Sequence, residues 1–212
     1  MNLEIDPTVA PRLNALLAEL DMAPLPEPLA QQFAAYMAIL TRWNARTNLT
    51  AIRDIEGILR RHFVESIACA RALPPQIGTL LDFGSGGGFP GIPIALCRSE
   101  IAVTLAESQG KKAAFLQEAV RVLAIPVKVH AGRAEMLSAK FDCVTLRAVD
   151  HMQEALRAAA ALLAPAGWLA VLTTVSEQDS VTQAAGPGFE WAEPVRVVES
   201  DGRVLALARR NS

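Results

Sequence analysis

Apolar residues in the first third of the chain recur every three or four positions, which is the spacing of amphipathic helices. One such series predicts a helix over residues 8–20, and a second predicts a helix over residues 29–43. The proline-rich segment 24–28 separates them, because proline breaks a helix interior. A third helix is predicted to begin after Asp54, whose side chain can cap it, and to reach about Ile67. The pattern therefore predicts a helical extension over residues 1–73 that packs on the rest of the chain.

From residue 79 onward, short apolar runs alternate with amphipathic helical stretches. Five strands are predicted, at residues 79–83, 101–107, 127–129, 141–146 and 168–172. Ser108 is expected to cap the helix that follows the second strand, and Pro165 with Gly167 is expected to turn the chain into the fifth strand. Alternating strands and helices predict an α/β domain over residues 74–212 with a mostly parallel sheet.

The end of the chain departs from this alternation. Two apolar runs, residues 195–198 and 204–208, flank Asp201-Gly202, which is a typical two-residue hairpin turn. We therefore expect the sheet to end in antiparallel strands.

Residues 79–91 carry the clearest chemical signal. The predicted first strand ends in five glycines within eight residues, Gly84, Gly86, Gly87, Gly88 and Gly91. Glycine tolerates a positive φ and lets a ligand approach bare backbone. A strand, a glycine loop and a following helix N-terminus are typical of a nucleotide cradle.

Two acidic residues indicate which nucleotide the loop holds. Asp82 lies two residues before the first glycine, where a buried carboxylate needs loop amides or a ligand ammonium group as partners. Glu107 follows the second strand, about where a carboxylate binds ribose hydroxyls. S-Adenosylmethionine carries an ammonium group, whereas Asp82 would repel a pyrophosphate. The acids favour S-adenosylmethionine, although Gly86 to Gly91 also fits the G-x-G-x-x-G dinucleotide pattern.

Amino-acid composition limits the kinds of binding partner that we expect for the chain. The chain has 212 residues, 51% of them hydrophobic, and a net charge of −2, which disfavours non-specific binding of nucleic acid by the whole surface. Cys69, Cys97 and Cys143 are far apart, so we predict no metal site. A basic leader and an apolar run of membrane-spanning length are both lacking in the sequence, so we predict a cytoplasmic protein without membrane contact.

One segment has the opposite charge to the whole. Between Arg42 and Arg71 the sequence has six arginines and three acidic residues. This excess is compatible with a solvated helix face and with a surface that contacts phosphates, and charge alone does not separate the two.

Several separated motifs together resemble those of the bacterial small-subunit rRNA guanine-N7 methyltransferases, also called the glucose-inhibited division protein B (GidB) family. The motifs are Trp43-Asn44 with Asn48-Leu49-Thr50, Arg61-His62 with Ser66, residues 82–91, Gly110-Lys111-Lys112 and Arg147-Ala148-Val149. The resemblance implies a class I, Rossmann-like methyltransferase fold with an N-terminal helical extension. It also implies S-adenosylmethionine as cofactor and a guanine in a hairpin loop of 16S rRNA, near the decoding centre, as target. The small ribosomal subunit or its precursor is then the partner.

The glycine pattern and the resemblance together name the candidate site residues. The predicted cofactor contacts are Asp82, Gly84, Ser85, Gly86, Gly88, Phe89, Glu107, Ala134, Glu135 and Arg147. The candidates for RNA contact are Asn48, Arg60, Arg61 and His62. We assign no catalytic acid or base, because guanine N7 carries a lone pair and no proton. Arg147, after the fourth strand, is the candidate for the junction of cofactor and target, whereas His151 is interpreted as structural.

Two positions depart from the family pattern. Glu65 stands where the family has aspartate, and Thr173-Thr174 stands where it usually has Lys-Gly.

Three other functions remain compatible with the sequence: a methyltransferase of small molecules or proteins, an NAD-dependent oxidoreductase, and a non-catalytic RNA-binding or ribosome-assembly factor. Asp82 and the lack of a catalytic Tyr-x-x-x-Lys disfavour the oxidoreductase.

Overall fold

The computed structural model describes residues 3–149, 151–198 and 202–211. Its helices are α1 (Val9–Ala18), α2 (Glu27–Asn44), α3 (Ile55–Ile58), a π-helical segment (Leu59–Val64), α4 (Glu65–Ala72), α5 (Gly91–Cys97), α6 (Gly110–Leu123), α7 (Met152–Leu162) and α8 (Gln178–Ala185). Within the described residues, no helix is both long and apolar enough to span a membrane.

Within the described part of the chain, eight strands form one sheet. They are β1 (Thr79–Phe83), β2 (Ala102–Glu107), β3 (Lys128–Ala131), β4 (Phe141–Arg147), β5 (Leu163–Thr174), β6 (Phe189–Trp191), β7 (Val195–Val198) and β8 (Arg203–Arg210). The order is β3-β2-β1-β4-β5-β8-β6, with β7 also pairing with β8. The first five strands pair in parallel, and β8 is antiparallel to β5, β6 and β7. The predicted fold class, a mostly parallel α/β sheet with an antiparallel end, is confirmed.

Alternate residues of each strand serve two cores, because successive side chains of a strand point to opposite faces. Leu80 of β1 packs with α5, α6 and the N-terminal helices, whereas Leu81 packs with α7 and α8. The N-terminal helices thus share a core with one face of the sheet. The domain boundary near residue 73 remains a prediction.

An aromatic cluster joins the helical extension to the glycine loop. Tyr36 of α2 stacks on Phe63 of the π-helical segment, with ring centroids 5.2 Å apart. Phe89, directly after the glycines, lies 5.3 Å from Tyr36 and 5.8 Å from Phe63. The buried Tyr36 hydroxyl donates a hydrogen bond to the Gly87 carbonyl. The extension therefore supports one wall of the glycine loop.

Several local predictions were wrong. The predicted turn at Pro165 and Gly167 lies inside β5, where a bulge places Leu163 opposite Phe141 and Trp168 opposite Cys143. Ser108 caps no helix, since α6 begins after Gln109, which makes no side-chain capping bond. Helix α8 and strand β6 were not predicted from the sequence, and both are short, with eight and three residues.

Two other local features bear on the predictions. Asp54 does cap its helix, since its carboxylate accepts a hydrogen bond from the Gly57 amide at 2.6 Å. The predicted single helix after it instead changes to π-helical geometry over Leu59–Val64. In the predicted hairpin turn, Gly202 has a φ of 61°, and Asp201 lies outside the described residues.

Candidate active site

A cavity of about 620 Å³ opens at the carboxyl ends of β1, β2 and β4, the usual ligand position in such a sheet. Nine of the predicted site residues line it: His62, Gly84, Ser85, Gly86, Phe89, Glu107, Ala134, Glu135 and Arg147. The other five predicted residues, Asn48, Arg60, Arg61, Asp82 and Gly88, are not among its lining residues.

The glycine loop leaves space beside the cavity. Gly84 and Gly86 have φ values of 70° and 55°, a region that favours glycine. A Cβ atom at Gly86 would have only the Gly84 carbonyl oxygen near it, at 3.9 Å, so a larger side chain there would project into open space. Gly88 has a packing role instead, because its Cβ atom would lie 2.6 Å from Ile92 and 2.7 Å from the Tyr36 hydroxyl.

Asp82 is buried and is not among the residues that line the cavity, so its predicted contact with the cofactor remains a prediction. The residue is 1% exposed. Its carboxylate accepts hydrogen bonds from the Gly91 amide at 3.2 Å and the Thr145 hydroxyl at 2.9 Å. Burial raises its pKa to about 6, against these hydrogen bonds. Asp82 therefore links the end of β1 to the start of α5 and to β4.

Glu107 lines the cavity at the end of β2. Its two oxygens accept hydrogen bonds from the Gly86 amide at 2.8 Å and the Gln109 amide at 2.7 Å. These bonds fix the carboxylate at the end of β2, and each oxygen keeps a lone pair that can accept a bond from a ribose hydroxyl. The geometry thus fits the predicted ribose-binding role.

The turn Ala134–Met136 forms the next part of the wall. Ala134 is 4% exposed, and Glu135 accepts a hydrogen bond from Arg133 at 2.8 Å. This bond lowers the pKa of Glu135, which remains ionised. A small buried side chain beside a fixed carboxylate suits the flat base of an adenosine group.

Arg147 ends β4 within a buried charge cluster. Its Nη2 atom donates to Glu65 Oε2 at 2.8 Å and to the Arg61 carbonyl. Glu65 is fully buried and also lies 3.3 Å from Arg61 Nε and 3.7 Å from Arg203 Nε. Arg147 Nη1 is buried without a hydrogen-bond partner among the described residues, although Arg147 lines the cavity. This donor fits an acceptor group of a bound ligand.

Comparison with known proteins decides between the functions that the sequence left open. Residues 29–203 match the GidB family, described as rRNA small subunit methyltransferase G. The chain belongs to the GidB family. It is accordingly an S-adenosylmethionine-dependent methyltransferase that acts on rRNA, so the oxidoreductase and non-catalytic alternatives are set aside.

Similar proteins carry the same description. The ribosomal RNA small subunit methyltransferase G of Xanthomonas euvesicatoria pv. vesicatoria (strain 85-10) is 37% identical over 213 residues, which cover 97% of this chain and 99% of that protein. The protein of this name from Roseiflexus sp. (strain RS-1) is 46% identical over 129 residues, covering 58% of this chain and 55% of that protein.

Solved structures support the fold. The 16S rRNA N2 G1207 methyltransferase (RsmC) of T. thermophilus, in complex with AdoMet and guanosine, has a TM-score of 0.55 at 18% identity, covering 70% of this chain and 38% of that chain. The ribosomal protein L11 methylase of Lactobacillus delbrueckii subsp. bulgaricus has a TM-score of 0.58 at 13% identity, covering 75% and 80%. At these identities the likeness shows the fold alone.

His62 lines the same cavity. Its ring stacks on Phe89, with centroids 4.7 Å apart, and its Nε2 atom lies 2.6 Å from the Thr50 hydroxyl. Burial, aided by the charge of Arg147, lowers the pKa of His62 to about 3. The ring is therefore neutral near pH 7 and too weak a base to take up a proton there.

The predicted RNA contact at Arg60 is not supported by its surroundings. Arg60 forms ion pairs with Glu56 at 2.7 Å and with Glu19 at 3.0 Å, and Arg12 pairs with the same two carboxylates. The pKa of Glu56 falls to about 2, chiefly because Arg12 donates to it. Two arginines are thus neutralised by two acids, which sequence counting could not show.

The remaining predicted RNA contacts also have partners within the protein. Asn48 accepts a hydrogen bond from Arg53 at 2.8 Å. Arg61 supports Arg147 through its carbonyl, as described above. Thr173 and Thr174 stand where the family usually has Lys-Gly. Both of their hydroxyls donate hydrogen bonds to the Glu177 carboxylate, at 3.2 and 3.0 Å.

Fifteen residues of the cavity lining were not predicted as ligand contacts, including His151, which was interpreted as structural. Three others are Thr50, Lys112 and Val149. Each belongs to a motif that carried the family resemblance, so the signal was present in the sequence. Among the described residues, no group of three or more His, Cys, Asp or Glu side chains could hold a metal ion.

Proposed function

We propose that this protein methylates N7 of a guanine in a hairpin loop of 16S rRNA, near the decoding centre. The observation that carries the proposal is the state of His62. His62 in the cavity wall is neutral near pH 7 and a weak base, which fits a reaction that removes no proton. Attack by N7 needs no base, because its lone pair is free.

The residues around the cavity fit the cofactor. When bound, S-adenosylmethionine supplies a methyl group on a positively charged sulfur. Glu107 would accept bonds from its ribose, and Ala134 with Glu135 would flank its adenine. The glycine loop leaves room for the methionine portion, and the unpartnered Arg147 donor would bind an acceptor on the cofactor or target.

Catalysis by this chain would then rest on orientation. Arg147 is fixed by Glu65 and by the π-helical segment, so its donor has a defined position. Fixing both reactants in a reactive arrangement lowers the barrier without acid–base chemistry. A loop guanine is a suitable target, since an unpaired base costs less to turn outward than a paired one.

Labelled methyl transfer tests the proposal. The substrates are small-subunit RNA and small subunits from cells that lack the modification, and the labelled nucleotide is mapped after the reaction. We expect label on one guanine, with chain cleavage by reagents specific for N7-methylguanine. Label on another base, or on guanine at another atom, would contradict the proposal. Comparing the two substrates also tells whether the partner is free RNA or an assembled or precursor subunit in the cytoplasm.

A further inference from the structure

A second groove lies beside the active-site cavity. It has a volume of about 460 Å³ and is lined by Arg42, Trp43, Arg46, Thr47, Lys111 and Glu118. The groove adjoins the active-site cavity at two places in the sequence. Lys111 lines the groove and Lys112 lines the cavity, and Thr47 of the groove is two residues from Leu49 of the cavity. The C-terminal end of α2 and the first turn of α6 therefore form a surface that adjoins the site.

The charges of this surface are only partly compensated. Glu118 pairs with Arg42 and accepts a hydrogen bond from the Trp43 indole at 2.9 Å. Arg46 and Lys111 are exposed, and neither makes a side-chain hydrogen bond or ion pair among the described residues. The groove thus carries two uncompensated positive charges, and Lys112 adds a third at the cavity wall.

The groove is also held in a fixed shape. The Trp43 ring packs edge-on against Phe115 of α6, with centroids 5.9 Å apart, and its indole nitrogen is used by Glu118. These contacts join α2 to α6 directly beneath Arg46 and Lys111. A ligand that binds in the groove would order few groups besides the side chains of Arg46 and Lys111, so binding would cost little conformational entropy.

We propose that Arg46 and Lys111 bind phosphates of the RNA strand that leads to the target nucleotide. Phosphate contacts position a nucleic acid without reading its sequence, as an entry track beside an active site requires. The proposal rests on the proposed function, since it takes rRNA as the substrate. It replaces Arg60, which is neutralised by Glu19 and Glu56, as the RNA-binding position.

The test compares two double variants of the full-length protein. The first is Arg46→Ala with Lys111→Ala. The charge-matched control is Arg121→Ala with Lys128→Ala, which also removes one exposed arginine and one exposed lysine. Arg121 lies on the last turn of α6, ten residues and about 15 Å along the helix from Lys111.

The readout is the salt dependence of binding to small-subunit RNA. The slope of log K against log[salt] is negative, and each lost phosphate contact makes it shallower by about 0.7 to 0.9. We expect the first variant to lose about 1.5 from the wild-type slope and several-fold in affinity at low salt. The control should keep the wild-type slope, and both variants should bind S-adenosylhomocysteine as the wild type does.

Each outcome has a separate meaning. A first variant with the wild-type slope, or equal losses in both variants, would overturn the assignment of Arg46 and Lys111. If the wild-type protein itself neither binds nor methylates small-subunit RNA, the proposed function fails instead. Unchanged cofactor binding in both variants excludes misfolding as the cause of a lost slope.

Discussion

The two sides of the active-site cavity are built in different ways. The side that we propose binds the cofactor, called the cofactor side, consists of Gly84, Gly86, Glu107, Ala134 and Glu135, which lie at or after the ends of three strands of the sheet. Its key bond joins the Glu107 carboxylate to a backbone amide of the glycine loop. The helical side consists of Thr50, His62, Glu65 and Arg147, in which side chains from the N-terminal extension contact the end of β4.

Because of this difference, the two sides should be sensitive to different kinds of substitution. The cofactor side depends on empty space next to backbone, so added volume should damage it most. The helical side depends on a buried carboxylate among three arginines, so a change of charge should damage it most.

Gly86→Arg should abolish cofactor binding. The new side chain would project into the cavity, and an L-residue at a φ of 55° adds roughly 1–2 kcal/mol of strain. Calorimetry with S-adenosylhomocysteine measures the loss, and circular dichroism checks the fold. Gly86→Ala is the matched control, because it has the same strain but little added volume. Equal loss of binding in both variants would show that strain, and not space, matters here.

Glu65→Gln should lower both stability and methylation rate. It leaves three arginines around a neutral group, and breaking a buried ion pair in this way costs about 3–5 kcal/mol. Denaturant unfolding measures the stability. Glu65→Asp keeps the charge and restores the residue typical of the family, so we expect it to retain most of the activity. A Glu65→Gln protein as stable as the wild type would refute the importance of the charge cluster.

Arg147→Ala should lower the methylation rate by about 100-fold while the protein stays folded. Glu65 keeps Arg61 and Arg203 nearby, so the carboxylate is not left alone. Single-turnover kinetics separate this loss of rate from weaker binding. A rate near that of the wild type would remove Arg147 from the junction of cofactor and target.

Asp82 predicts a change of stability with pH. Burial raises its folded-state pKa from 3.8 to about 6, so the folded protein holds a proton that the unfolded chain has released between these values. Its contribution to stability is therefore full below about pH 4 and is lost as pH rises through about 6. Unfolding of the wild type and of Asp82→Asn across this range measures it. A difference between the two that does not depend on pH would contradict the shifted pKa.

His62 should have the smallest effect on the pH profile. Because its pKa is about 3, it stays neutral from about pH 6 to about pH 8, and the rate should show no step assignable to it. His62→Gln is expected to lower the rate through lost stacking on Phe89 without altering the shape of the profile. A step near neutral pH that disappears in His62→Gln would establish a catalytic base.

The two sides also differ in how far the sequence predicted them. The glycine loop and Glu107 are local features, because a strand, its loop and the next strand lie close in sequence. Glu65 pairs with Arg147 across 82 residues, and the π-helical geometry of Leu59–Val64 has no periodic signature. Charge counting likewise could not separate the neutralised Arg60 from the uncompensated Arg46, since Arg60 pairs with Glu56, four residues away, and also with Glu19 at the end of the distant helix α1.

Asp82 shows a subtler limit. The sequence correctly predicted that a carboxylate at this point needs partners, and loop amides were one of the two choices. Only the packed structure shows that the Gly91 amide and the Thr145 hydroxyl donate hydrogen bonds to the Asp82 carboxylate, whereas Glu107 lines the cavity. The direction in which a buried side chain points depends on neighbouring strands, which a single stretch of sequence does not contain.

The most direct test of the account is a mass map of modified nucleotides in rRNA from cells with and without this protein. We predict that removing the protein causes one guanine in a hairpin loop of 16S rRNA to lose the mass of a single methyl group. Re-expression of the wild type should restore that mass, and the Gly86→Arg variant should not. An unchanged modification map, or a loss confined to another base or to large-subunit RNA, would contradict the account.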